Sequence, residues 1–453
     1  MAGSATITGT QNYVMGIGHP KTEAFSEAPP AFNSFRRSEA LVRFQGICKN
    51  STPFNIAAST VAQTYSVKME VEAPFYGVRI LADNGVANAQ TVNKVAIGVT
   101  ETNAVTATAL TASQNMSAPV IGGVAYDSAL VTTGNLGYKQ VTWSASGTYD
   151  LGAGNTARQY LLSDWMSLAS VSRADGGTRP LFLMRQVPDS AGYNFLVASA
   201  LMRSATIANR GRTNITSTYF GDGLTTPTGT HSLGTTYTDT YPIFRFATPV
   251  LSVWGVGDSI TQGNATAIIP DGYSCFGARA CADASTTSRP VVYANLGANG
   301  QTGAYYWAQA KALLALGVPA PSVLVTGPAS VNDGGSTPTV ATLEAQRDRA
   351  YDMISTCRTY GIPAMIWLPW MPNENLTNVS TTFYDDKRKQ INTELKAAAL
   401  AAGIWWTDLT EFGNGASPEL WVTTYKYDAF HPNEVGHEFI AAKLTAVLNT
   451  INF

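Results

Sequence analysis

Charge is the scarcest ingredient of this sequence. Asp, Glu, Lys and Arg together make up 13% of its 453 residues, about half of the roughly 25% usual in soluble domains. The formal net charge is -2 and the basic residues are scattered, which excludes the concentrated positive patch of a nucleic-acid binder. Cysteine and histidine are also rare, with four of each. Four cysteines are too few for a disulfide scaffold, and no Cys/His spacing resembles a zinc site. Neither a metal nor another cofactor is expected. Cys275 and Cys281 lie in a segment that reads as helix, where residues six apart do not face each other, so buried free thiols are expected. No stretch reaches the roughly 18 uninterrupted apolar residues of a membrane span. The first residues, Met1 to Pro20, lack a basic stretch followed by an apolar one, so no secretory signal is visible.

Apolar side chains, by contrast, are plentiful at 45%, enough for sizeable cores, and the length suggests two or three domains. A composition rich in Thr, Ser, Ala, Gly and Asn but poor in charge points to an extracellular or virion-associated protein. Residues 1–35 carry Pro and Gly without periodicity and read as an arm. Over 36–248, short runs of alternating apolar residues (Leu41–Cys48, Tyr65–Val71, Tyr76–Leu81, Val95–Thr100, Gln140–Ser146, Leu181–Val187, Tyr193–Ala198) are separated by turn residues. That pattern predicts an all-β, jelly-roll or sandwich-like accessory domain. The Thr- and Gly-rich run Thr225–Thr240 reads as a loop or linker.

From residue 249 to 453 the pattern changes to strand followed by helix, which predicts a parallel sheet covered on both faces. Strands are expected at Val250–Val256, Pro290–Asn295, Ser322–Thr326, Ala364–Leu368 and Ile404–Trp406. Helices are expected at about Ala304–Leu316, Leu343–Tyr360, Asp385–Ala402 and Glu434–Leu448. In such folds ligands gather where strands end.

Four short pieces fall at those places: Gly257-Asp258-Ser259-Ile260-Thr261, Asn295-Leu296-Gly297-Ala298-Asn299-Gly300-Gln301-Thr302, Ser330-Val331-Asn332-Asp333, and Asp428-Ala429-Phe430-His431-Pro432. Together they contain what acyl transfer requires. A serine hydroxyl needs a base to take its proton, and histidine, as a residue type with a pKa of about 6.5, suits that task. Asp428, three residues before His431, can fix the imidazole tautomer. The amides of Ser259 and Gly300 and the Asn332 side chain can serve as oxyanion donors.

These blocks resemble those of the SGNH (GDSL-like) hydrolases, with Ser259, Gly300, Asn332 and His431 as the four named positions and Asp428 as the triad acid. The resemblance covers about residues 249–450 and implies a flavodoxin-like three-layer α/β/α hydrolase domain with a Ser259-His431-Asp428 triad. The glycine of the second block could be Gly297 or Gly300; Asn-Gly-Gln-Thr favours Gly300. The third block departs from the family's pattern, which has Gly two residues before Asn where this chain has Ser330. Thr261 breaks the Gly-x-Ser-x-Gly signature of the α/β-hydrolases. Asp258 and Asp333 read as loop-holding acids rather than catalytic ones, and His437 as structural.

The resemblance implies a carboxylic ester hydrolase. A β-rich N-terminal region and the lack of a long apolar lid favour O-deacetylation of a polysaccharide or surface glycan, with Trp370 as a candidate sugar platform at the end of the fourth strand. A short-chain arylesterase or lipase-like enzyme is the alternative within the class. A non-catalytic glycan-binding or virion structural protein is the alternative outside it. Oligomeric state is not readable from the sequence.

Overall fold

The computed structural model describes residues 63–84, 90–101, 138–144, 159–188, 240–263, 275–333, 340–374, 381–416 and 419–451, together with short strand segments elsewhere between residues 42 and 237. The arm at 1–35 lies outside the described residues.

Six strands form one wholly parallel sheet: β1 (Gly46–Ile47), β2 (Leu251–Gly257), β3 (Val291–Gly297), β4 (Val323–Thr326), β5 (Ala364–Trp367) and β6 (Trp405–Trp406). Their order in space is β1-β3-β2-β4-β5-β6. Leaving out β1, this is the 2-1-3-4-5 order of flavodoxin-like sheets. Every residue of β2, β4 and β5 is buried, as expected of strands covered on both faces. The connecting and flanking helices are α1 (Ser259–Gln262), α2 (Phe276–Ala284), α3 (Gly303–Leu316), α4 (Val340–Thr359), α5 (Thr381–Ala401) and α6 (Glu434–Leu448). The predicted strands and helices of 249–453 are all present, with ends shifted by a few residues. The segment of Cys275 and Cys281, also read as helix, is α2, and the one-turn helix α1 is additional.

The chain before β2 forms antiparallel sheets. Strands 42–44, 240–246, 75–84 and 159–162 pair in one, and strands 90–100, 181–188, 63–70 and 212–220 are neighbours in the other. Phe75 and Phe244 of the first meet Phe182 of the second at ring separations of 6.3 and 5.1 Å. The polar strand Arg212–Phe220 is not marked by apolar alternation; its Thr residues carry the β preference instead.

The expected strand Leu41–Cys48 is divided: Val42–Phe44 pairs antiparallel with Phe244 and its neighbours, whereas Gly46–Ile47 runs parallel to Ala294–Asn295. Alternation alone cannot tell which sheet edge a short strand will join. The expected linker Thr225–Thr240 contains strands His231–Leu233 and Thr236–Tyr237. Cys275, Cys281 and Cys357 are buried and form no disulfide among the described residues; Cys48 lies outside the described residues. Among the described residues no helix is long and apolar enough to cross a membrane.

Candidate active site

The site sits at the carboxyl ends of β2, β3 and β4, beside the point where the strand order reverses. After β2, Asp258 caps α1 by accepting the Ile260 amide at 2.9 Å. Gly263, with φ of 93°, ends the helix after one turn. The hydroxyl of Ser259 is thereby placed at the first helical position, where backbone amides are unspent. Asn433 caps α6 at the other side of the site, and the segment leading into it carries His431.

Residues 172 positions apart meet here. His431 Nε2 lies 2.8 Å from Ser259 Oγ, and His431 Nδ1 lies 2.7 Å from Asp428 Oδ2. The second oxygen of Asp428 accepts the amides of Phe430 and His431 at 2.9 and 2.8 Å. Burial on its own pushes the Asp428 carboxyl up. The His431 ring and these two amides outweigh it and hold the group below the usual carboxylate range. Ser259 and His431 are 2% and 5% exposed, so the hydroxyl–imidazole contact is sheltered from bulk water. Phe430 packs on the imidazole with ring centroids 4.3 Å apart.

The three candidate oxyanion donors sit on segments that are hydrogen-bonded to one another through Ser330, Asp258 and Gln301. Among the described residues, the amides of Ser259 and Gly300 meet no acceptor. Asn332 donates one side-chain N–H to the Gln301 carbonyl oxygen at 3.1 Å, which leaves the other N–H free to turn toward an oxyanion. The arrangement is chemically suited to addition of a hydroxyl to an ester carbonyl.

The two glycines of the second block do different work. Gly300 has φ of +68° and open space around it. Gly297 has no room: an added Cβ would lie 2.3 Å from the Gln262 amide nitrogen and 2.6 Å from its Cα. Gly297→Ala is therefore expected to push α1 off β3 and to destabilise the protein by about 1–3 kcal/mol, as overpacking does. Gly300→Ala should cost only about 1–2 kcal/mol of left-handed backbone strain. Thermal unfolding of the two variants, with ester turnover alongside, checks this: only the first should lose activity through displacement of Ser259.

The buried acids hold loops. Asp333 accepts the amides of Ser330 and Gly303 at 2.8 and 3.2 Å and is paired with Arg349. Burial pushes the Asp258 carboxyl up, against the lowering pull of the Ser330 hydroxyl, the Ile260 amide and His431. His437 is buried and stacked on Phe276.

Trp370 corrects the expectation of a sugar platform at that residue. It is 1% exposed, and its backbone is held by Asn392 and Arg388. Position at the end of a strand indicates which end of the sheet a residue occupies, not whether its ring turns inward.

A strap that no sequence motif marks lies just beyond it. Asn373 donates to the Val331 carbonyl oxygen at 3.0 Å, and the Glu374 amide donates to that of Ala429 at 3.0 Å. Glu374 also accepts the Trp421 amide at 2.7 Å and pairs with Lys426. It thus ties the Asn332 turn to the segment bearing Asp428 and His431. The visible signal was a lone acid in an otherwise uncharged Asn-rich loop.

Among the described residues no group of three or more His, Cys, Asp or Glu could hold a metal ion.

Residues 256–439 match the profile of the GDSL-like Lipase/Acylhydrolase family. Among curated proteins none matches. The chain is similar to a GDSL-like lipase from Bacteroides thetaiotaomicron at 16% identity, over 44% of this chain and 87% of that one, with a TM-score of 0.33. It is also similar to a carbohydrate esterase family 2 enzyme plus carbohydrate binding domain from Corynascus thermopiles. There the identity is 12%, the coverage 90% and 98%, and the TM-score 0.33. A third similar structure is a variant of an acetyl-xylooligosaccharide esterase from Geobacillus Stearmophilus, at 17% identity, over 44% of this chain and 94% of that one, with a TM-score of 0.34.

Proposed function

We propose, from the match of residues 256–439 to the GDSL-like Lipase/Acylhydrolase profile, that the protein is a serine esterase that removes short acyl groups, above all acetyl, from a polysaccharide or surface glycan. The single observation that carries the reading is the relay of 2.7 and 2.8 Å contacts from Asp428 through His431 to Ser259.

In the first step Ser259 Oγ adds to the ester carbonyl while His431 Nε2 takes its proton. The carbonyl oxygen becomes an oxyanion facing the amides of Ser259 and Gly300 and the side chain of Asn332. Collapse expels the sugar alkoxide, which receives the proton from His431, and leaves Ser259 acylated. Water, deprotonated by the same imidazole, then releases acetate and restores the hydroxyl. Asp428, held in the anionic form, keeps Nδ1 protonated and so turns the lone pair of Nε2 toward the serine.

Three features favour a glycan over a lipid. In the sequence, the stretches 264–274, 334–339 and 375–380 hold no long apolar run of the kind that covers an acyl chain. Tyr427, beside the triad acid, is 58% exposed and offers an aromatic face at the rim. The antiparallel region over 36–248 is proposed as a jelly-roll module that presents the substrate to the hydrolase unit at 249–453, with 1–35 as an arm.

Acetate release measured across a panel of acetylated glycans and simple esters tests the substrate. The expected result is turnover of acetylated glycans and of p-nitrophenyl acetate, with little activity on octanoyl esters. A strong preference for long acyl chains, with none for acetylated sugars, would overturn the glycan assignment while leaving an esterase.

A further inference from the structure

The turn after β4 carries a hydroxyl whose contacts extend beyond the turn. Asp333 closes the turn: its amide donates to the Ser330 carbonyl oxygen at 3.0 Å, and its carboxylate accepts the Ser330 amide at 2.8 Å. The Ser330 side chain reaches instead toward the nucleophile. Its Oγ donates to Asp258 Oδ2 at 2.7 Å and accepts the Asn332 amide at 3.1 Å. The Gln301 carbonyl oxygen, 3.2 Å away, is a second acceptor for the same proton. Ser330 and Asp258 are 1% and 7% exposed, so bulk water does not stand ready to replace these bonds.

Each partner leads to a part of the proposed machinery. The other oxygen of Asp258 caps α1, whose first residue is Ser259. Gln301 follows Gly300 and holds the Asn332 side chain through its carbonyl oxygen. One hydroxyl therefore touches all three segments that carry the nucleophile and the oxyanion donors.

We propose that Ser330 is a positioning residue for ester hydrolysis, locking the Gly300 and Asn332 loops in register with the Ser259 turn; this rests on the esterase reading above. The physical need is geometric. Oxyanion donors act only when they lie about 2.7–3.1 Å from the place the oxygen will occupy, and these donors sit on loops from different strands. Without the hydroxyl, the Asn332 amide loses its acceptor. Asp258 Oδ2 loses its one side-chain donor among the described residues. The two loops can then drift apart without the turn itself opening, because Asp333 still closes it.

The test compares wild type, Ser259→Ala, Ser330→Ala, Ser330→Cys and Ser330→Thr in steady-state turnover of p-nitrophenyl acetate, with circular dichroism to verify folding. Ser330→Ala is expected to lower kcat by about 10–100-fold with KM within about threefold of wild type, because the misplaced donors serve the transition state. Ser330→Thr, which restores the hydroxyl, should recover kcat to within about tenfold of wild type. Ser330→Cys fills the same space with a weak donor. It decides the matter if the alanine variant does not fold, and should lose kcat by about tenfold.

A folded Ser330→Ala or Ser330→Cys enzyme with wild-type kcat, beside a wild type whose turnover depends on Ser259, overturns the positioning role alone. A change confined to KM does the same. A wild type without Ser259-dependent turnover overturns the esterase reading and this inference with it.

Discussion

Ser259→Ala should eliminate turnover of p-nitrophenyl acetate, lowering kcat by about 10⁶-fold while leaving the fold intact. That magnitude is what loss of the nucleophile costs where a triad works as a unit; the remainder over water, about 10³–10⁴-fold, comes from oxyanion donors and binding. The substitution removes one oxygen from a side chain that is 2% exposed, so the expected effect on melting temperature is small. Steady-state kinetics with thermal unfolding of the same samples separates the two. Retention of wild-type turnover in the alanine variant would remove Ser259 from the reaction.

Asp428→Asn should be the next most damaging change, lowering kcat by about 10⁴-fold. The carboxamide can accept the Phe430 and His431 amides as the acid does, but its N–H₂ would then face Nδ1. That contact reverses the imidazole tautomer and presents an N–H, rather than a lone pair, to Ser259.

The same residue has a pH signature in stability. Its pKa is lowered in the folded state, so its contribution is fully present above the unfolded carboxylate pKa of about 3.9. It is lost as pH falls through the lower folded value. Melting temperatures of wild type and Asp428→Asn should therefore differ most near neutrality and converge as the solution is acidified below about pH 4. A gap that widens on acidification would contradict the lowered carboxyl.

The hydrolase region was legible because buried parallel strands write themselves as continuous apolar runs such as Val323–Thr326, and because each functional residue sits just beyond one of them. Ser259, His431 and Asp428 were found as sequence blocks and are brought together in space. Two kinds of information were missing. The first is direction: Trp370 was placed at the correct end of the sheet, but its ring turns into the core. The second is long-range polar contact. Nothing local to Glu374 announces Trp421 and Lys426 as its partners, and nothing local to Ser330 announces Asp258, 72 positions away.

The antiparallel region was harder to read. Thr240–Phe246 contains Pro242, which argues against a strand on sequence grounds, yet it pairs with Arg79 and its neighbours. Pro242 lies just past the last partner of Val42–Phe44, where its missing N–H breaks no ladder on that side.

The strand at Gly46–Ile47 shapes how the chain can be dissected. It pairs with Ala294–Asn295 on the outer rim of Val291–Gly297 although about 240 positions of sequence lie between the two strands. A shortened protein starting at 249 would bare that rim and offer its backbone groups as a template for self-association. Poor behaviour of such a fragment would then report a missing border, not a missing helper module.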